Sequence, residues 1–82
     1  MPLDPMPDWV LTRRREIGAR IRAARHHAGL TQIQLGDRIG RDNRTIHRWE
    51  YAQRVPTLED LLLLADALGV RPSDLFGDDA AR

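Results

Sequence analysis

Eighty-two residues with a net charge of +1 and no cysteine describe one small domain whose core lies near the lower limit for independent folding. The composition excludes disulfides and thiolate metal ligands, no apolar run reaches transmembrane length, and the start Met1-Pro2-Leu3-Asp4-Pro5 lacks the basic and apolar regions of a signal peptide. The expectation is a soluble, cytoplasmic chain, with no membrane association, that gains from oligomerisation.

The first helix is predicted to start near Asp8, which follows Pro7 and carries a capping side chain, and to end before Gly29. Ile17, Ile21, Ala24 and Ala28 fall within about 60° of one another on a helix and form an inward stripe. Arg14 interrupts that stripe, so residues 8–15 either overhang as an exposed extension or form a separate turn. Trp9, in that stretch, marks a subunit contact or packs on its own domain. Thr31 caps a second helix, with Gln34 three residues on completing a capping box, and Gly40 sits where a helix ends in a left-handed residue. Asp42 then caps a third helix, from Asn43 to about Glu50. Thr57, after Pro56, caps a fourth with Asp60 as its acidic partner. Leu58, Leu61, Leu62, Leu64, Ala65 and Leu68 wrap most of the fourth helix, which predicts a buried central element ended by Gly69. Pro72 opens a short fifth helix through Phe76. No strand pattern, repeat or long linker interrupts this order. The expected fold is all-α with five helices: residues 1–11 as an N-terminal extension, 12–76 as the domain, and 77–82 as a frayed tail.

The third helix carries the chemistry. At about 100° per residue, Asn43, His47, Arg44 and Arg48 share one face, while Ile46 and Trp49 point the opposite way. An apolar back with a front of amide, guanidinium and imidazole, preceded by a short helix and a sharp turn, suits a helix laid in a DNA major groove. Arg44 matches guanine O6 and N7 with its fork, and Asn43 pairs with adenine through two hydrogen bonds. Arg48, one turn on, reaches a further base or a flanking phosphate. His47 does either, with a charge that responds to pH near neutrality. Thr45 and Arg54 are candidate phosphate contacts.

Charge is divided along the chain. Residues 12–54 hold eleven arginines against Glu16, Asp37, Asp42 and Glu50, whereas residues 55–82 hold two against six acids. Such a split presents one face to phosphates and turns the other away. The arginines of the first helix (Arg13, Arg14, Arg15, Arg20, Arg22 and Arg25) are read as a solvated face, with direct DNA contact as the alternative; their attraction for a duplex needs no contact. His26 and His27 suit a helix C-terminus when charged. With no Cys, and no acid at ligand spacing, no metal or other cofactor is expected.

The ordered set Leu30-Thr31-Gln32, Leu35, Gly40, Asp42, Thr45-Ile46, Arg48-Trp49-Glu50, Pro56-Thr57-Leu58, Leu62, Ala65, Ala67-Leu68-Gly69-Val70 and Leu75 resembles the lambda-repressor-like helix-turn-helix domains, also called Cro-type or XRE-family. The resemblance covers roughly residues 16–76. It implies a compact five-helix DNA-binding domain with helices 2 and 3 as the helix-turn-helix. It also implies an ion pair between Arg25 and Glu50, and a phosphate contact from the amide and backbone N–H groups at Gln32. Three positions depart from the pattern. Arg41 replaces a usually apolar turn residue and is expected to snorkel out to a phosphate. Gly36 stands where Ala is common, lowering helix propensity by roughly 1 kcal/mol but letting two helices approach. Ala52 replaces the usual Gly after the third helix, so either it adopts a left-handed conformation or the helix runs on through Tyr51.

The expected function is sequence-specific binding of double-stranded DNA by a repressor-like transcriptional regulator. The expected form is a homodimer on an inverted repeat, with Val70, Leu75 and Phe76 at the two-fold contact and the Trp9–Val10 segment as the rival surface. Alternatives are the antitoxin of a toxin–antitoxin pair, which adds a protein partner, and a helical interaction module that has lost DNA binding. An enzyme is not expected: paired carboxylates, a nucleophile–base pair and a phosphate loop are all missing, and Ser73 is the only serine.

Overall fold

Cap side chains at Thr31, Asp42 and Thr57 start three of the five helices of the described residues. The computed structural model describes residues 5–77, in the order α1 (Asp8–His27), α2 (Gln32–Ile39), α3 (Asn43–Glu50), α4 (Leu58–Leu68) and α5 (Pro72–Phe76). Gln34 N–H donates to Thr31 Oγ1 at 3.0 Å, and Thr31 N–H donates to Gln34 Oε1 at 2.9 Å, so α2 starts on a reciprocal box. The same exchange between Thr57 and Asp60, at 3.1 Å each way, starts α4. Gly40 ends α2 and Gly69 ends α4 in the left-handed conformation that a Cβ disfavours. Among the described residues no strand forms, and no helix is long and apolar enough to cross a membrane.

Helix α1 departs from expectation in three ways. The cap position is Pro7, which offers no side-chain acceptor, and Asp8 is the first helical residue rather than the cap. There its charge favours the positive end of the helix dipole. The helix also runs unbroken from Asp8, so residues 8–15 form no separate turn, and the expected boundary at residue 12 falls inside it. Finally, the buried stripe stops at Ala24. Ala28 lies past the last helical residue and is exposed. Arg14 packs half-buried along a cavity of about 120 Å³ lined by Ile17, Gly18, Trp49, Leu61 and Phe76. The tail expected to fray lies, apart from Gly77, outside the described residues, as do residues 1–4 of the N-terminal extension.

The core gathers one apolar face from each helix: Ile21 of α1, Leu35 and Ile39 of α2, Ile46 and Trp49 of α3, Leu61, Leu64 and Leu68 of α4, and Leu75 of α5. Helix α4 is buried on one side only, which corrects the expectation of a central helix. Leu58 is 65% exposed and Leu62 48%. A helix this rich in leucine looks apolar around its whole circumference, yet only the face toward its neighbours is covered. Leu75 is 1% exposed. It fills the core of its own domain and cannot also form a two-fold contact. Val70 packs half-buried against the same core, while Phe76 remains 41% exposed.

Candidate nucleic-acid interface

Helix α3 is fixed along its back and left open along its front. Asp42 accepts from Thr45 N–H at 2.8 Å and caps the helix. The Thr45 side chain and N–H together hold the Asp42 carboxyl below its usual range. Ile46 and Trp49 are buried in the core. At the C-terminal end Glu50 is also buried, and Arg25 of α1 grips it with two bonds, Nε to Oε2 at 2.6 Å and Nη2 to Oε1 at 3.0 Å. That fork raises the Arg25 pKa further above its already high ordinary value. Arg25 also donates from Nη1 to the Leu30 carbonyl at 2.9 Å, tying the end of α1 to the entrance of α2. Gly18 completes the anchorage. A Cβ there would lie 2.6 Å from the Trp49 carbonyl oxygen and 2.7 Å from that of Glu50, so only glycine lets α1 approach the α3 backbone this closely.

The front of α3 carries Asn43 and Arg44, both exposed. Neither side chain has a hydrogen-bond partner among the described residues. His47 lies one turn on from Asn43. Its Nδ1 is 3.4 Å from Gln32 Nε2, and its ring centroid is 4.6 Å from that of Tyr51. Gln32 in turn donates from Nε2 to Glu50 Oε1 at 3.1 Å, so its amide ties α2 to α3 instead of standing open. Arg48 is half-buried beside a cleft of about 410 Å³ that Arg41, Thr45, Arg54, Val55, Thr57 and Asp60 also line. Three guanidinium groups border that cleft, with one carboxylate in its lining.

Arg41 solves the problem of a charged residue in the turn differently from expectation. Its Nη2 donates to Asp60 Oδ1 at 2.7 Å, and its Nη1 to the Gly40 carbonyl at 3.2 Å. Asp60 Oδ2 meanwhile accepts from Thr57 N–H. One carboxylate thus caps α4 and holds the turn between α2 and α3. Burial pushes the Asp60 carboxyl up, but the bonds from Thr57 and Arg41 outweigh it and hold its pKa below the ordinary value. Gly36 makes this turn possible, since a Cβ there would collide with the Arg41 carbonyl oxygen.

Ala52 adopts the left-handed conformation, with φ at 57°. The turn after α3 closes through Ala52 N–H to the Trp49 carbonyl at 3.2 Å and Gln53 N–H to the Arg48 carbonyl at 2.8 Å. It delivers exposed Arg54 to the edge of the arginine-bordered cleft. Arg22 and Tyr51 were missed in the sequence. The Arg22 guanidinium lies over the Tyr51 ring, 5.0 Å from its centroid, and no local pattern links an α1 cation to the residue that ends α3. Among the described residues no cluster of three or more His, Asp or Glu side chains is placed to hold a metal.

A family model described as a helix-turn-helix domain matches residues 16–76. Repressor protein C2 of Salmonella phage P22 is 36% identical over 66 residues, 80% of this chain and 31% of that protein. The chain therefore spans about a third of the length of this curated relative. Among solved structures, a restriction-modification controller protein from Aeromonas hydrophila superposes with a TM-score of 0.75 at 33% identity, covering 78% of this chain and 97% of that one. The P22 C2 repressor in complex with a synthetic operator superposes with a TM-score of 0.68 at 39% identity, covering 72% and 89%.

Proposed function

Because the chain belongs to the family of helix-turn-helix domains, we propose that it binds double-stranded DNA sequence-specifically and acts as a repressor-like regulator of transcription. Helix α3 lies in the major groove, with Asn43, Arg44, His47 and Arg48 toward base edges. The observation that carries this reading is the division of α3. Its back is locked by Ile46, Trp49 and the Arg25–Glu50 fork, while Asn43 and Arg44 project from the first turn with their donors and acceptors uncommitted. Arg44 is the principal reader, since its fork matches guanine. Arg41, Thr45 and Arg54 face backbone phosphates around the arginine-bordered cleft, Arg41 with the donors that Asp60 and Gly40 leave open. Gln32 serves through its backbone at the start of α2. The P22 relative is named a repressor and was solved with an operator, and the Aeromonas relative is a controller protein. Both names support a regulatory role.

The regulator acts as a two-fold dimer on an inverted repeat, with half-site centres roughly 10 base pairs apart. Leu58 and Leu62, one turn apart on α4, and Phe76 are exposed apolar side chains available for the contact. They replace Leu75 in that role. Selection of bound sequences from a random duplex pool tests the whole reading: a palindromic consensus is expected, and a pool that stays random overturns it. Sedimentation of a Leu58→Glu, Leu62→Glu variant tests the contact. If the variant remains dimeric while Trp9→Ala dissociates, the N-terminal surface forms the dimer instead.

A further inference from the structure

Not all the arginines of α1 are an equivalent solvated face. Arg25 is buried on Glu50, Arg13 lies 3.7 Å from Glu16, and Arg20 lies against Gly77. Arg22 is placed differently. It follows Gly18 by one turn, on the side of α1 that touches the end of α3, and its guanidinium covers the Tyr51 ring. Tyr51 follows His47 by four residues as His47 follows Asn43, so the row Asn43–His47–Tyr51 continues the open face of α3 to its C-terminal end. The close ring contact between His47 and Tyr51 fixes that continuation.

We propose that Arg22, held over the Tyr51 ring, is a binding site for a DNA backbone phosphate at the far wall of the groove that α3 enters. The inference rests on the DNA-binding reading above. Eight residues separate Asn43 from Tyr51, a rise of about 12 Å along the helix. The major groove is also about 12 Å wide, so with Asn43 and Arg44 over base edges the Tyr51 end lies at the sugar–phosphate wall. A cation–π contact with a ring face uses none of the guanidinium's N–H donors, and no carboxylate pairs with Arg22 among the described residues. The ring contact also restricts the side chain before DNA arrives, so less freedom is lost on binding than for a solvated arginine. Tyr51 is a positioning residue: it touches the arginine rather than the phosphate.

The test is the salt dependence of binding to a random-sequence duplex of about 30 base pairs, read by fluorescence anisotropy across a range of salt concentrations. Each lost phosphate contact reduces the slope of log K against log salt by about 0.9, or roughly eight-fold in affinity at 0.1 M relative to 1 M salt. Arg22→Gln is expected to lose that amount. Tyr51→Leu is expected to lose much of the same affinity, and the double variant to be no weaker than Arg22→Gln. Tyr51→Phe, which keeps the ring, is expected to recover what Tyr51→Leu loses. Thermal denaturation of each variant separates a folding defect from a lost contact. An Arg22→Gln slope equal to that of the unsubstituted protein overturns this inference while leaving DNA binding intact. Failure of the unsubstituted protein to bind any duplex overturns the reading beneath it.

Discussion

Arg25 and Glu50 form a two-point fork between α1 and α3, with both side chains almost wholly withdrawn from solvent. Removing one partner of such a pair leaves the other charge desolvated, which costs about 3–5 kcal/mol. Glu50→Ala is therefore expected to lower the unfolding free energy in urea by that amount. A loss below about 1 kcal/mol, the usual worth of a surface pair, would show that Arg25 finds water instead.

Asp60 predicts a response to acid. Its folded pKa is below the unfolded value, so its contribution is complete above about pH 4 and is lost as pH falls through the lower folded value. The Arg41 side chain is 42% exposed, so solvent screens the ion pair and the cap on α4 carries more of the effect. Asp60→Asn should cost about 2 kcal/mol at pH 7. The gap between the two proteins should narrow below pH ~4. Asp42 and Asp74 are shifted in the same direction, so the variant keeps part of its acid sensitivity. An unchanged gap from pH 7 to pH 2 would contradict this account.

At Gly18 two effects oppose each other. Alanine gains about 1 kcal/mol of helix propensity, but its methyl meets two backbone carbonyls of α3 that have no flexible way to yield. Overpacking of this kind costs about 1–3 kcal/mol, so Gly18→Ala is expected to lower Tm. A raised Tm would mean that α1 can withdraw from α3 without penalty.

Ala52 gives the opposite sign. A left-handed alanine costs about 1–2 kcal/mol, and glycine returns part of that gain through its freer unfolded chain. Ala52→Gly should stabilise by roughly 0.5–1 kcal/mol net, and Ala52→Val should destabilise. Equal melting temperatures for all three proteins would show that the turn relaxes around the residue.

Arg44→Ala separates reading from anchoring. It should cost about 1–3 kcal/mol on the selected sequence and flatten discrimination at one base pair per half-site, with the melting temperature unchanged. Arg54→Ala should instead weaken all sequences alike and shallow the salt dependence. If Arg44→Ala retains the same selected consensus, another element reads the sequence.

What could be read in the chain was local. The boxes at Thr31–Gln34 and Thr57–Asp60 and the stops at Gly40 and Gly69 join residues at most a few positions apart, and their geometry follows from side-chain length and backbone freedom. The Arg25–Glu50 fork came from a family resemblance rather than from any spacing. What escaped were partnerships between distant segments. Arg41 looked like a cation in need of solvent because Asp60, which receives it, lies a helix away. Arg22 looked like one of many solvated arginines because Tyr51 meets it only after α1 and α3 pack. The burial of α4 was misjudged for a related reason: identical leucines on every side leave no contrast from which to choose the inner face.

The division of α3 has a consequence for how the chain can change over generations. The residues that hold the helix (Ile46, Trp49 and Glu50) and those that project from its first turn (Asn43 and Arg44) are disjoint sets. Substitutions at the projecting positions leave the core, the fork and the caps untouched, so new preferences can be sampled without passing through unfolded intermediates. His47 is the exception: it lies against both Gln32 and Tyr51, and drift there perturbs the scaffold as well as the surface. Descendants of this chain are therefore expected to diverge first at Asn43 and Arg44, and later at His47.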